Sequence, residues 1–298
     1  MTASHRAAGI ALVLVSAVSF GAMALFARMA YADGMDPGSL LLLRFAIAAA
    51  VMLAISFARG EHMPRGRTLA GFALMGGLGY VGQSMCFFTA LTMANAGLVA
   101  LLLYLYPALV AVLSAVFLRE RLGARRALAV AIALVGTALT VGPEPAGRPL
   151  GIVLGLGAAV IYSVYILVGT RLLSNSSPIA SSAVIMSAAA LVFAALGAVR
   201  GVTVPATATG WIGVIGVAVI ATVIAITTFL IGLRLIGPTS ASVLSTAEPV
   251  TTVVLAALVL GEPIGLLAAA GGIAILAGAL LLAFEPNRET PRVPAPSP

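Results

Sequence analysis

Leu118-Arg119-Glu120-Arg121-Leu122-Gly123 returns in the second half of the chain as Leu260-Gly261-Glu262-Pro263-Ile264-Gly265. In each copy this turn lies between two apolar stretches, and the register that carries Glu120 onto Glu262 runs outward from it without a gap. Gly9-Ile10 falls on Gly151-Ile152, Gly71 on Gly213, Pro107 on Pro249 and Gly136 on Gly278. One unit has been used twice, as residues 1–149 and 150–285. Each copy holds five apolar runs, and an odd number of crossings makes the second copy enter the bilayer from the opposite face. That is an inverted repeat, the architecture of secondary transporters.

Composition places the chain in lipid: 61% of its 298 residues are hydrophobic and 8% charged, with mean hydropathy +1.17. A crossing takes about 20 mostly apolar residues, and breaks at Gly, Pro and Arg clusters divide the sequence into runs of that length. The expected fold is an all-α membrane protein of ten transmembrane helices, at roughly 8–29, 38–58, 68–90, 95–118, 124–142, 150–172, 179–199, 209–233, 238–260 and 264–284. Short turns join them, leaving no room for a soluble catalytic domain. The proline-rich residues 286–298 read as a disordered tail.

All 16 cationic residues are arginine. Twelve fall in loops on the N-terminal side and three, Arg28, Arg148 and Arg200, on the other; Arg44 lies within a span. The positive-inside rule then puts both termini in the cytoplasm, as in a bacterial-type inner membrane. The net charge of +7 reflects that topology, and no aromatic platform accompanies it for nucleic acid. The first apolar run has a counterpart at 151–171, so it reads as a retained helix and not a signal peptide. Cys86, the only cysteine, reads as a small buried apolar group.

The two Leu-x-Glu-x-x-Gly turns, Glu248-Pro249 ahead of the second, Arg44-Phe45 in the second span, and the doubled five-helix unit together resemble the EamA family of the drug/metabolite transporter superfamily. The resemblance covers residues 8–284. It implies a basket in which the first, third, fourth, sixth, eighth and ninth helices surround a central cavity. It also implies export of small metabolites, amino acids among them.

Polar groups inside a membrane are expensive, so their positions carry information. Glu248 lies about ten residues into its span, ~15 Å deep, and Arg44 about six residues into its own, ~9 Å deep, at about 1.5 Å per residue. Three roles are open to Glu248: a structural group paired with Arg44 or with backbone freed by Pro249, a ligand for a substrate cation, or a proton carrier. Arg44 either snorkels as a structural group or anchors a substrate carboxylate. Tyr80 and Gln83 share a face of the third span, Tyr104 and Tyr106 flank the centre of the fourth, and Tyr162 and Tyr165 sit one turn apart in the sixth. Mid-span tyrosines do not form an interfacial belt. Each alone reads as packing; together they suit a cavity for an apolar or aromatic side chain, with Phe20 and Met23 of the first span adding contacts. Pro107 and Pro249, at matching depths, are candidate hinges.

Glu120 and Glu262 read as helix caps in turns. There is no His-Glu-x-x-His, no buried pair of Asp residues and no P-loop; His5 and His62 lie in tail and loop. Neither enzyme chemistry nor a cofactor is expected. The expected function is a secondary exporter of small metabolites, foremost amino acids with apolar or aromatic side chains, by alternating access. A multidrug permease or an importer is the alternative.

Overall fold

The computed structural model describes residues 3–91, 93, 94, 99, 102–119, 123–141, 148–260 and 264–283. The expected caps Glu120 and Glu262, and the expected disordered tail, lie outside the described residues. Among the described residues six helices are long and apolar enough to cross a membrane: Ser4–Ala32, Pro37–Ala58, Pro149–Asn175, Pro178–Arg200, Ala208–Ile236 and Pro238–Val259. Two shorter apolar helices, Tyr106–Phe117 and Leu266–Leu281, fall in the expected fourth and tenth spans. Helical segments from Gly66 to Leu91 and over Ala124–Val141 stand at the third and fifth positions. The all-α expectation holds; a count of ten crossings goes beyond the six helices that meet the length and composition of one.

Local chemistry sets the helix ends. Asp36, Ser177 and Thr207 accept the amides of Ser39, Ala180 and Gly210 and so cap the helices that follow, two of which begin with Pro37 and Pro178. Gly237, at φ +80°, turns the chain in a single residue between the helices Ala225–Ile236 and Pro238–Ser245.

The repeat also reappears in the irregularities. The third segment passes through a π-helical stretch, Met75–Tyr80, and the eighth through another, Gly216–Ile224. In the repeat register, which carries Met75 onto Val217 and Tyr80 onto Thr222, the second stretch encloses the first. In the latter stretch the Thr222 hydroxyl donates to the carbonyl of Val217, five residues back, at 2.8 Å. The fourth and ninth segments break at equivalent points, the turn at Tyr104-Leu105 and the turn at Thr246. The proline ring expels the carbonyl four residues earlier. For Pro107 and Pro249 those residues are Leu103 and Ser245, the last helical residues before each break. The prolines therefore open new helices, Tyr106–Phe117 and Ala247–Leu260.

Glycine sets the closest helix approaches. A methyl at Gly136 would lie 2.8 Å from the Gly271 carbonyl, and one at its repeat partner Gly278 3.1 Å from the Ala129 carbonyl, so the Ala124–Val141 and Leu266–Ala283 helices pack nearly backbone to backbone. The core is filled by Phe45, Met52, Phe72, Ile166, Ile185, Met186 and Leu230, all fully buried. The outside is apolar as well: Leu78, Val116, Leu191, Leu258 and Ile273 each have more than 60% of their surface exposed, a surface suited to lipid. At one end, two turns from different repeats are tied together. The Thr203 hydroxyl donates to Asp36 at 2.8 Å, and the Thr207 amide to Asp33 at 2.9 Å.

Candidate functional site

Arg44 is 4% exposed, so it does not snorkel to the surface. It sits midway between the irregular stretches of the two repeats. Its Nε donates to Thr222 Oγ1 at 2.6 Å, and its Nη2 to the Tyr80 hydroxyl at 2.9 Å and the Ala221 carbonyl at 3.4 Å. Tyr80 and Thr222 are repeat equivalents. One guanidinium thus reaches the same position in both π-helical stretches. Its carbon lies 5.0 Å from the Phe45 ring centroid and 5.7 Å from that of Tyr80, cation–π distances. These bonds use Nε and Nη2 of the guanidinium.

A run of aromatic rings leads away from Arg44. Phe45 meets Tyr80 at 5.0 Å between centroids and Tyr80 meets Tyr165 at 6.0 Å, both edge to face. Tyr165 stacks on Tyr162 at 6.0 Å, Tyr162 meets Tyr106 at 4.8 Å, and Tyr106 meets Tyr104 at 6.4 Å. Five of the chain's six tyrosines form this run, drawn from the third, fourth and sixth segments. At its far end the Tyr104 hydroxyl faces the Glu248 carboxylate within hydrogen-bonding reach. Tyr106 donates to the Ser242 carbonyl at 3.1 Å, which fastens the fourth segment to the buried helix Pro238–Ser245 just before the break at Thr246.

The first segment closes on Glu248 through Gly21. A methyl there would lie 2.8 Å from the Glu248 carbonyl oxygen and 2.6 Å from Thr251 Cβ. Thr252 donates to the carbonyls of Gly21, at 3.0 Å, and Glu248, at 3.2 Å. Phe20 packs on the core that holds Tyr104, Tyr106 and Tyr165. Glu248, Tyr80, Tyr162 and Phe20 keep part of their surface accessible although they lie deep in the bundle.

The structure separates some of what the sequence grouped. Among the described residues no ion pair joins Arg44 and Glu248. The structural pairing considered for them is absent, and the two charges stand at opposite ends of the tyrosine run. Gln83 takes a weak hydrogen bond from Ser84 at 3.5 Å and, among the described residues, touches neither charge. Three residues along an α-helix leave it ~60° round and ~4.5 Å along from Tyr80. Met23 follows the break at Ala22 and packs in a separate cluster with Ala30, Val214 and Val217.

Sequence reasoning missed Thr222, Phe45, Ser242 and Thr252. The one signal for Thr222 was its register with Tyr80. The same register relates Glu248 to Tyr106, Tyr162 to Phe20, and Arg44 to the buried Met186. The two copies line the same place with different chemistry.

Comparison with known proteins bears on the family and the fold. The chain is 27% identical over 284 residues to the uncharacterized transporter YcbK of Bacillus subtilis (strain 168), covering 90% of each chain. A crystal structure 24% identical in sequence superposes with a TM-score of 0.79, covering 92% of this chain and 96% of the other, a likeness of fold. The EamA-like transporter family matches residues 7–142 and again 149–284, once per repeat, and the chain belongs to that family.

Proposed function

We propose that this membrane transporter exports small zwitterionic metabolites, foremost amino acids with apolar or aromatic side chains, across a bacterial-type inner membrane with both termini cytoplasmic. One observation carries the reading: a buried cation and a half-buried carboxylate deep in the bundle stand at opposite ends of a wall of tyrosines, without pairing with each other. Burying charges apart is costly unless something completes them. A substrate carboxylate on Arg44 Nη1 and an ammonium on Glu248, with the side chain against the rings, does so.

Alternating access fits the matched irregularities. The breaks before Pro107 and Pro249 lack continuous ladders and serve as hinges, one per repeat. The paired π-helical stretches supply a register that a helix can exchange at small cost.

The test is counterflow exchange in proteoliposomes using three relatives of one scaffold: phenylalanine, its des-amino acid and its des-carboxy amine. Phenylalanine should exchange, and each singly charged relative should compete at least tenfold less well. Equal competition by the amine alone would move the reading to a cation permease.

A further inference from the structure

The Tyr165 hydroxyl is buried, with the residue 5% exposed, and has no hydrogen-bond partner among the described residues. Five serines share that condition: Ser56, Ser114, Ser181, Ser187 and Ser245. They differ from Tyr165 in one respect. A helical serine relieves itself by rotating onto the carbonyl of its own preceding turn, as Ser163 does on Ala159 at 2.7 Å and Ser182 on Pro178 at 2.7 Å. A phenol reaches past its own backbone and has no such recourse. The other tyrosines of the run whose hydroxyls are deeply buried are engaged, Tyr104 towards Glu248 and Tyr106 on the Ser242 carbonyl. An apolar ring would fill the Tyr165 position without leaving a polar atom unsatisfied.

Position says which part of a ligand would meet this hydroxyl. Along the aromatic run Tyr165 is one ring from Tyr80, which holds Arg44, and three rings from Tyr104, which faces Glu248. It belongs to neither charged end. On the reading given above, the ends take the carboxylate and the ammonium, and the middle faces the side chain.

Resting on that reading, we infer that Tyr165 is a specificity-determining residue whose hydroxyl donates a hydrogen bond to an acceptor on the substrate's side chain. The transporter then favours a side chain that is aromatic or apolar in bulk and carries one acceptor oxygen, such as a phenol, over the same side chain without it. An orphan donor discriminates in this way because the apolar analogue leaves it unsatisfied in the complex as well.

Counterflow of labelled tyrosine and phenylalanine, in the wild type and in Tyr165→Phe, tests this, with the melting temperature of the substrate-free protein measured alongside. The wild type should hold tyrosine about fivefold more tightly, the equivalent of ~1 kcal/mol. Tyr165→Phe should remove that preference by weakening tyrosine alone, and the substrate-free protein should melt no lower than the wild type. A preference that survives the substitution, equal weakening of both substrates, or a lower melting temperature each overturns the inference. Exchange of both amino acids without preference in the wild type refutes the role of Tyr165 and leaves the proposed function standing. Exchange of neither refutes both.

Discussion

Glu248→Gln separates the roles open to this carboxylate, because the structure limits what the substitution removes. Glu248 is faced by the Tyr104 hydroxyl and, among the described residues, has no cation in contact. Glutamine is nearly isosteric and its carbonyl still accepts from Tyr104. The fold exchanges a charge-assisted bond for a neutral one, a loss of about 1 kcal/mol, and is relieved of a buried charge whose desolvation costs a comparable amount or more. Stability should therefore stay within about 1 kcal/mol of the wild type, a shift of ~2–4 °C for a chain of this size. The ligand side is different. An ammonium buried opposite an amide has lost its counter-ion, a loss of about 3–5 kcal/mol. With each tenfold change in affinity worth about 1.4 kcal/mol, that is roughly two to three and a half orders of magnitude.

The assay is binding and counterflow of phenylalanine against its des-amino acid, with melting temperature measured alongside. The expected pattern is a hundredfold or greater loss for phenylalanine, little change for the des-amino acid and an almost unmoved melting temperature. A proton carrier would behave otherwise, losing gradient-driven transport while keeping counterflow. A collapse in melting temperature with affinity preserved in the surviving protein would refute the ligand argument and return Glu248 to a structural role.

Arg44→Lys keeps the charge but not the fork that holds Thr222 and Tyr80 together; removing two charge-assisted bonds at about 1.5–3 kcal/mol each should lower thermal stability and weaken the des-amino acid at least tenfold, and normal stability with normal binding would show the hub to be dispensable. The joint change Pro107→Ala and Pro249→Ala lets both broken ladders close, so turnover should fall with substrate affinity kept and stability equal or higher; unchanged turnover sinks the hinge proposal. At the end of the bundle, burial raises the Asp36 carboxyl but hydrogen bonds from Ser39 and Thr203 outweigh it and hold the group below its ordinary range. A depressed carboxyl contributes stability that is complete above the unfolded value of ~3.9 and is lost as pH falls through the native one. Asp36→Asn should therefore melt lower than wild type at neutral pH and converge with it as pH falls through the native value, and a gap independent of pH would show that charge plays no part there.

Much of the scaffold was legible because duplication is a property of spacing, and spacing survives without structure. Gly136 and Gly278 matched in register because the same close helix approach is needed twice. Pro107 and Pro249 matched because each ends a helix at its i−4 residue. The arginine and the tyrosines stood out because intramembrane polar groups are expensive. Thr222 did not, since threonine in a membrane helix satisfies itself on its own backbone and carries no cost that sequence reveals. Gln83 was grouped with the site by its spacing from Tyr80 and Met23 by its place on the first span; among the described residues Gln83 pairs with Ser84 and Met23 packs near Ala30 and Val217.

What remained hidden is the difference between the copies. A perfectly duplicated basket would line its centre with identical residues, and two like charges facing each other there would destabilise it. This chain instead sets Glu248 where the first copy has Tyr106, and Arg44 where the second has Met186. The centre therefore carries one charge of each sign at unrelated positions of the repeat, bridged by rings supplied by the third, fourth and sixth segments. On the proposed reading, the symmetric elements, glycine contacts, helix breaks and π-helical stretches, serve alternating access in both halves. On the same reading, the asymmetric ones serve recognition of a polar, unsymmetrical substrate. Restoring the symmetry tests the division: Glu248→Tyr, the residue of the other copy, should leave a folded protein that no longer distinguishes phenylalanine from its des-amino acid, and retention of that distinction would place the recognition of the amine elsewhere in the bundle.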